Sequence, residues 1–127
     1  VIIDAPAGLD DGLVVAMGGA DEVMMVITPE YSSIRDCETV TMTLKEFGIE
    51  NVHYILNKVN TKLMKAGLAP SLSDFPRGIT ERMIGLVQQD ENIHISTNMG
   101  VPIVFMKDTY ISKNFDNIAK RIEALQA

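Results

Sequence analysis

Asp4 is the residue of this chain best placed to do chemistry. It ends the apolar string Val1-Ile2-Ile3 and precedes the turn-forming run Ala5-Pro6-Ala7-Gly8. A buried parallel strand delivers a carboxylate to its C-terminal edge in this way, and α/β folds place their ligands at that edge. A carboxylate there can accept hydrogen bonds from the water shell of Mg²⁺. Pro6 would shape the turn, and Gly8, without a Cβ, would let its amide approach a phosphate closely. Capping of a turn, or of the helix region at Asp10, would use the same Asp4 carboxylate.

Three further strand ends carry polar groups. Asn57 follows the apolar run Val52–Leu56, and its carboxamide can both donate to and accept from the edge of a purine base. A turn is the alternative role for an Asn there. Gln88-Gln89-Asp90 follows Met83–Val87, and its backbone could flank the same base. Thr28-Pro29-Glu30 follows Val23–Ile27 and sets Glu30 beside a helix start, with Ser33, Arg35 and Asp36 in the first turn. Arg35 and Asp36 could cross a subunit interface or be solvated charges. His53 and His94 lack spaced partners, so no zinc site is read. Cys37 falls on an apolar helix stripe and reads as core, not nucleophile. No G-x-x-x-x-G-K-[ST] stretch occurs, so the phosphate cradle is missing from these residues.

The elements that must hold these groups alternate. Val1–Ile3 reads as a short buried strand and Asp10–Gly19 as a short helix. Val23–Ile27, continuous and rich in β-branching, reads as a central parallel strand. Ser33–Phe47 reads as a helix with Ile34, Cys37, Val40, Leu44 and Phe47 on one face, a capping box from Ser33 and Asp36, and Gly48 as its stop. Val52–Leu56 and Met83–Val87 complete four strands. Ile93–Met99 suits a brief helix and Pro102–Phe105 an extended segment. Thr109–Leu125 suits an amphipathic helix with Ile111, Phe115, Ile118, Ile122 and Leu125 inward and an Asp116–Lys120 pair outside. Residues 60–80 are broken by Gly67, Pro70, Pro76 and Gly78. The alternation predicts an α/β fold, a mostly parallel sheet with helices on both faces.

The 127 residues suit one domain with one core. A net charge of −6 argues against a broad basic nucleic-acid surface, and no direct nucleic-acid binding is expected. One cysteine permits no internal disulfide, which fits a reducing cytoplasm. The chain opens inside an apparent strand without an initiator Met. It therefore reads as part of a longer protein whose remainder lies before Val1.

The blocks V-I-I-D-A-P-A-G at 1–8, G-G-A-D-E-V-M-M-V-I-T-P-E at 18–30, S-S-I-R-D at 32–36 and S-T-N-M-G-V-P-I-V at 96–104 occur in the order of one family, with Asn57-Lys58 between them. In this the chain resembles the C-terminal half of the MinD/ParA superfamily of deviant P-loop ATPases, closest to the MinD branch. The resemblance implies a three-layer P-loop fold without its P-loop strand, residues 1–127 forming the C-terminal portion of one ATPase domain. It implies ATP and Mg²⁺ as cofactors, with Asp4 as the Walker B aspartate acting on Mg²⁺ through water. Ala5 to Gly8, with Pro6, would be the switch loop sensing the γ-phosphate. Asn57 would read adenine with help from Gln89 and Asp90. Glu30, Ser33 and Asp36 would lie near an ATP-dependent homodimer interface. A partner protein would stimulate hydrolysis, and the cycle would position the division site or similar cargo.

Departures from the family are specific. Met99 and Val101 replace an arginine and an acidic residue, and Gln88 stands where proline is common. No Lys/Arg-rich tail follows Glu123, so the basic amphipathic helix of membrane-binding members is absent from this piece. The resemblance implies a cytoplasmic location that still admits peripheral contact with the inner face of the cell membrane. Without the P-loop strand, a strand edge and an apolar face are expected to be uncovered. The piece alone is expected to be inactive and either unstable or associated with another chain. A non-catalytic binding or regulatory module on the same fold is the alternative. A dinucleotide enzyme would need a glycine fingerprint that Gly18-Gly19 does not supply.

Overall fold

Near-continuous runs of β-branched and long apolar side chains form three parallel strands, β1 (Val23–Ile27), β2 (Val52–Val59) and β3 (Arg82–Gln88), paired in the order β1-β2-β3. The computed structural model describes residues 1–106 and 109–126. Met25, Ile27, Tyr54 and Leu56 point to one face of the sheet and pack with Met17, Ile34, Cys37, Leu44 and Phe75. These come from helices α1 (Asp11–Met17), α2 (Tyr31–Glu46) and α4 (Phe75–Gly78). Ile84 and Val87, joined by Met24 and Ile55, face the other way onto Ile103, Ile111 and Ile118. Ile111 and Ile118 belong to α6 (Tyr110–Leu125), and Ile103 to a 3₁₀ turn over Ile103–Phe105. Helices thus cover both faces, the α/β layering expected of the alternation.

Local chemistry sets the element ends. Asp10 caps α1 through its carboxylate on the Gly12 N–H at 3.1 Å, and Thr109 caps α6 through its hydroxyl on the Ser112 N–H at 3.1 Å. α2 starts at Tyr31, because Glu30 is extended and serves as N-cap without a side-chain bond. Ser33 therefore lies inside the first turn, and its hydroxyl pairs with Thr28 Oγ1 at 2.9 Å. The Ser33/Asp36 capping box does not form. Ile34, Cys37 and Leu44 are buried as the helical spacing requires, but Phe47 lies past the helix and is 59% exposed. Gly48 then turns the chain with a φ of +87°.

The broken stretch 60–80 holds two short helices. Asn60 caps α3 (Thr61–Lys65) through its carbonyl oxygen on the Lys62 and Leu63 N–H groups. Asp74 accepts from the Ser71 N–H at 2.7 Å and its hydroxyl at 2.8 Å, bringing fully buried Phe75 under α2. Gly78 is needed there, since a Cβ would stand 2.5 Å from Ile34 Cγ2.

Four further expectations are corrected. Val1–Ile3 forms no strand, and Val1 and Ile2 are fully exposed. A strand exists through its pairing partners, and among the described residues no strand lies beyond β1 to receive one. For the same reason β1 is the outer strand, not a central one. Pro102–Phe105 is not extended: Phe105 N–H bonds the Pro102 carbonyl at 3.0 Å and closes the 3₁₀ turn. Asp116 and Lys120 make no ion pair; among the described residues the pairs are Lys45–Glu81 and Asp74–Arg77, and His53 Nε2 stands 3.9 Å from Glu22 Oε2.

Candidate functional site

The carboxyl ends of β1 and β2 flank two cavities. The larger, about 240 Å³, is walled by Thr28, Pro29 and Glu30 after β1, by Lys58 and Asn60 at the end of β2, and by Gln89 after β3. Leu63, Leu68 and Ala69 give it an apolar side. Whole-ligand pockets commonly run from about 300 Å³ upward, so this one suits part of a ligand. The second, about 140 Å³, lies on the α6 side and is lined by Val26, Ile55, Asn57, Val87, Phe115 and Ile118. Val26 at 63% exposure and Phe115 at 38% continue this apolar face toward the unpaired edge of β1.

The end of β2 is shaped by two register faults. Tyr54 pairs with Met83 but Ile55 with Gly85, so β3 carries one extra residue at Ile84. Leu56 then pairs with Leu86 but Val59 with Gln88, so β2 carries one extra residue at 57–58 and the original register returns. Arg121 Nη1 donates to the Ile84 carbonyl at 2.7 Å across the first fault. Gly85 faces Ile118 there, leaving no room for a Cβ. At the second, Lys58 has a φ of 55°, the only described non-glycine residue with positive φ. That conformation costs an L-residue about 1–2 kcal/mol. Asn57 Oδ1 accepts from the Lys58 N–H at 2.9 Å.

The singled-out residues fall into separate places. Asn57 lies within β2, not at its end, and lines the smaller cavity. Gln89 and Glu30 line the larger one, so Asn57 and Gln89 do not share a cavity. Asp90 is the N-cap of α5 (Glu91–Asn98), its Oδ1 2.8 Å from the Asn92 backbone and side-chain nitrogens. Ser33 is half-buried on Thr28, and Asp36 is exposed. Asp4 and Gly8 lie in the exposed segment before α1 and line neither cavity. Pro6 packs at Gly12, where a Cβ would meet its ring at 2.5 Å, and Gly8 holds a φ of +102°. Asn60 is not singled out by the sequence reading, and Lys58 enters it only as the neighbour of Asn57. Asn before Thr61-Lys62-Leu63 is a legible N-cap signal, whereas nothing local marks Lys58 as left-handed.

Among the described residues no group of three or more His, Cys, Asp or Glu is placed to hold a metal. Cys37 is 2% exposed, and burial pushes its thiol up to about 11, against a smaller opposite effect of the Thr41 hydroxyl. It is core, as its helical position indicated. Glu81 feels burial, which raises its carboxyl, but hydrogen bonds from Lys45 and its own backbone outweigh this and hold it below the usual range. The Lys45 Nζ lies 2.6 Å from Glu81 Oε1, tying the end of α2 to the start of β3.

No protein-family model matches the chain. A MinD septum site-determining protein of Thermotoga maritima is 33% identical over 124 residues, which is 96% of this chain and 46% of that protein. The MinC:MinD cell division complex of Aquifex aeolicus contains a chain that superposes with a TM-score of 0.91 at 30% identity, covering 95% of this chain and 50% of that one. MinD of Pyrococcus horikoshii complexed with Mg-ADP superposes with a TM-score of 0.84 at 25% identity, covering 98% of this chain and 50% of its own. The chain therefore spans about half the length of the relatives it matches. The ordered blocks, the parallel sheet layered by helices and these likenesses agree: the chain belongs to the MinD family.

Proposed function

We propose that this chain is the C-terminal portion of a single P-loop domain that binds and hydrolyses ATP to position the cell-division site. The observation that carries the reading is the likeness, over nearly the whole chain, to a MinD complexed with Mg-ADP. The sheet geometry supports it. Two small cavities and their amide groups stand at the carboxyl ends of β1 and β2, where α/β folds bind nucleotides. Neither cavity holds a cluster of cationic side chains, which fits a base subsite whose triphosphate grip comes from a loop before Val1.

In this reading Asn57 contacts adenine, with Gln89 and Asp90 on the flanking loop. Asp4 holds Mg²⁺ through water, and Pro6 and Gly8 form the loop that senses the terminal phosphate. Mg²⁺, when bound, would draw charge from the β- and γ-phosphates. Asp4 ends a segment without a pairing partner in the present sheet, and a strand inserted beside β1 would give Val1–Ile3 one. Glu30, Ser33 and Asp36, at the start of α2, would face a second copy in an ATP-bound homodimer in the cytoplasm. The MinC:MinD complex of Aquifex aeolicus supports a protein partner for this chain as well. No described helix is long and apolar enough to cross a membrane. Membrane contact, in this reading, is peripheral and lies at the inner face of the cell membrane.

Isothermal titration tests the reading. The intact protein, including the sequence before Val1, should bind Mg-ATP in the micromolar range, and the 127 residues alone should give little or no heat. Equal binding by both would refute the division of labour, and no binding by the intact protein would refute the nucleotide reading.

A further inference from the structure

We propose that Lys58 is a positioning residue, whose left-handed backbone aims the Asn57 carboxamide at the ligand. The inference rests on the nucleotide reading above. Its ground is the coincidence of three features at one place. Lys58 holds a φ of 55°. The β2–β3 ladder gains its extra residue at that point, between the Leu56–Leu86 and Val59–Gln88 pairs. The Asn57 oxygen is tied to the Lys58 N–H at 2.9 Å.

The conformation is enforced from both sides. Leu56 is fully buried and Val59 is 3% exposed, and the Val59 carbonyl accepts from Gln89 N–H at 2.9 Å. These anchors leave the extra residue only the space between them. Bulges of this type, with a left-handed residue, bend a strand and redirect a side chain. With its oxygen turned back on Lys58, Asn57 has its two amide N–H groups left for the cavity formed with Val26, Ile55 and Phe115. The site thus presents a donor, and the matching ligand edge is an acceptor such as a ring nitrogen of a purine. Lys58 acts through its backbone, and its ammonium is not required for this task.

The test uses the intact protein, Mg-ATP titration and urea unfolding. Lys58→Gly adopts positive φ without strain. It should move the unfolding midpoint up, and Asn57→Ala should cost as much affinity in the Lys58→Gly background as it does alone. Lys58→Val cannot take this backbone without severe strain. It should lose affinity about as much as Asn57→Ala, roughly three- to tenfold for one neutral hydrogen bond. Combined with Asn57→Ala it should lose nothing more. A second readout does not need Lys58→Val to fold. Amide exchange at residue 58 should be slow in wild type and in Lys58→Gly, and faster in Asn57→Ala. An unfolding midpoint that does not rise in Lys58→Gly, additive losses when Lys58→Val is combined with Asn57→Ala, or exchange at residue 58 indifferent to Asn57→Ala would each overturn the assignment. If Asn57→Ala itself binds Mg-ATP like wild type, the base-contact role of Asn57 fails and this assignment falls with it.

Discussion

Gly85→Ala probes the register fault that seats α6. A Cβ on residue 85 would stand 2.5 Å from Ile118 Cγ1 and 3.3 Å from Cδ1, with Arg121 Nη1 at 3.6 Å. Ile118 is 7% exposed and cannot swing into solvent, while Arg121 is held on the Ile84 carbonyl at 2.7 Å. Either α6 shifts or Ile118 leaves its rotamer, and overpacking of this kind costs about 1–3 kcal/mol. Replacing a strand glycine by alanine returns about 0.5–1 kcal/mol of backbone entropy. The net expectation is a loss of about 1–2 kcal/mol. Ile118→Ala removes both clashing carbons and by itself should cost about 2–5 kcal/mol. In that background Gly85→Ala should be neutral or stabilising. The assay is a double-mutant cycle by urea unfolding of the intact protein, followed by far-UV circular dichroism. If Gly85→Ala costs the same in both backgrounds, within about 0.5 kcal/mol, the steric account of Gly85 is wrong.

The Lys45–Glu81 contact should stabilise the protein in one pH range. Glu81 is held below its unfolded value, so its contribution is full above about pH 4.3 and is lost as pH falls through the lower folded value. Glu81→Gln should therefore lower the urea midpoint at neutral pH, with the difference from wild type vanishing in acid; a difference that grows in acid would contradict the pairing. Cys37, buried and shifted up to about 11, should resist maleimide at pH 8 in the folded protein and react readily in urea. Rapid stoichiometric labelling without denaturant would show that α2 does not pack as described.

Much of the framework was legible because it depends on local periodicity. Val23–Ile27 is an unbroken apolar run, and β1 has those limits. Ile34, Cys37 and Leu44 recur at helical spacing and all lie buried beneath α2. Asp90 and Thr109 cap α5 and α6, although the sequence reading set Asp90 beside a base and Thr109 inside the helix. The failures share a different cause. Val1–Ile3 has strand composition, but a strand needs a neighbour that these residues do not include. Phe47 has the right spacing, yet the helix ends at Glu46 and leaves its ring outside. The sequence offers polar residue types around the strand ends, but not the geometry in which they stand. The paired register faults and the left-handed Lys58 arise from fitting β2 between Leu86 and Gln88, a constraint that spans some thirty residues of chain. No local pattern around Asn57 encodes it.

Phosphate release by the intact protein, wild type against Asp4→Ala, tests the central claim most directly. The account predicts slow Mg²⁺-dependent release by wild type, severely reduced in the Asp4→Ala protein while that protein remains folded. Release that is absent from wild type, or unchanged when Asp4 is replaced, would contradict it.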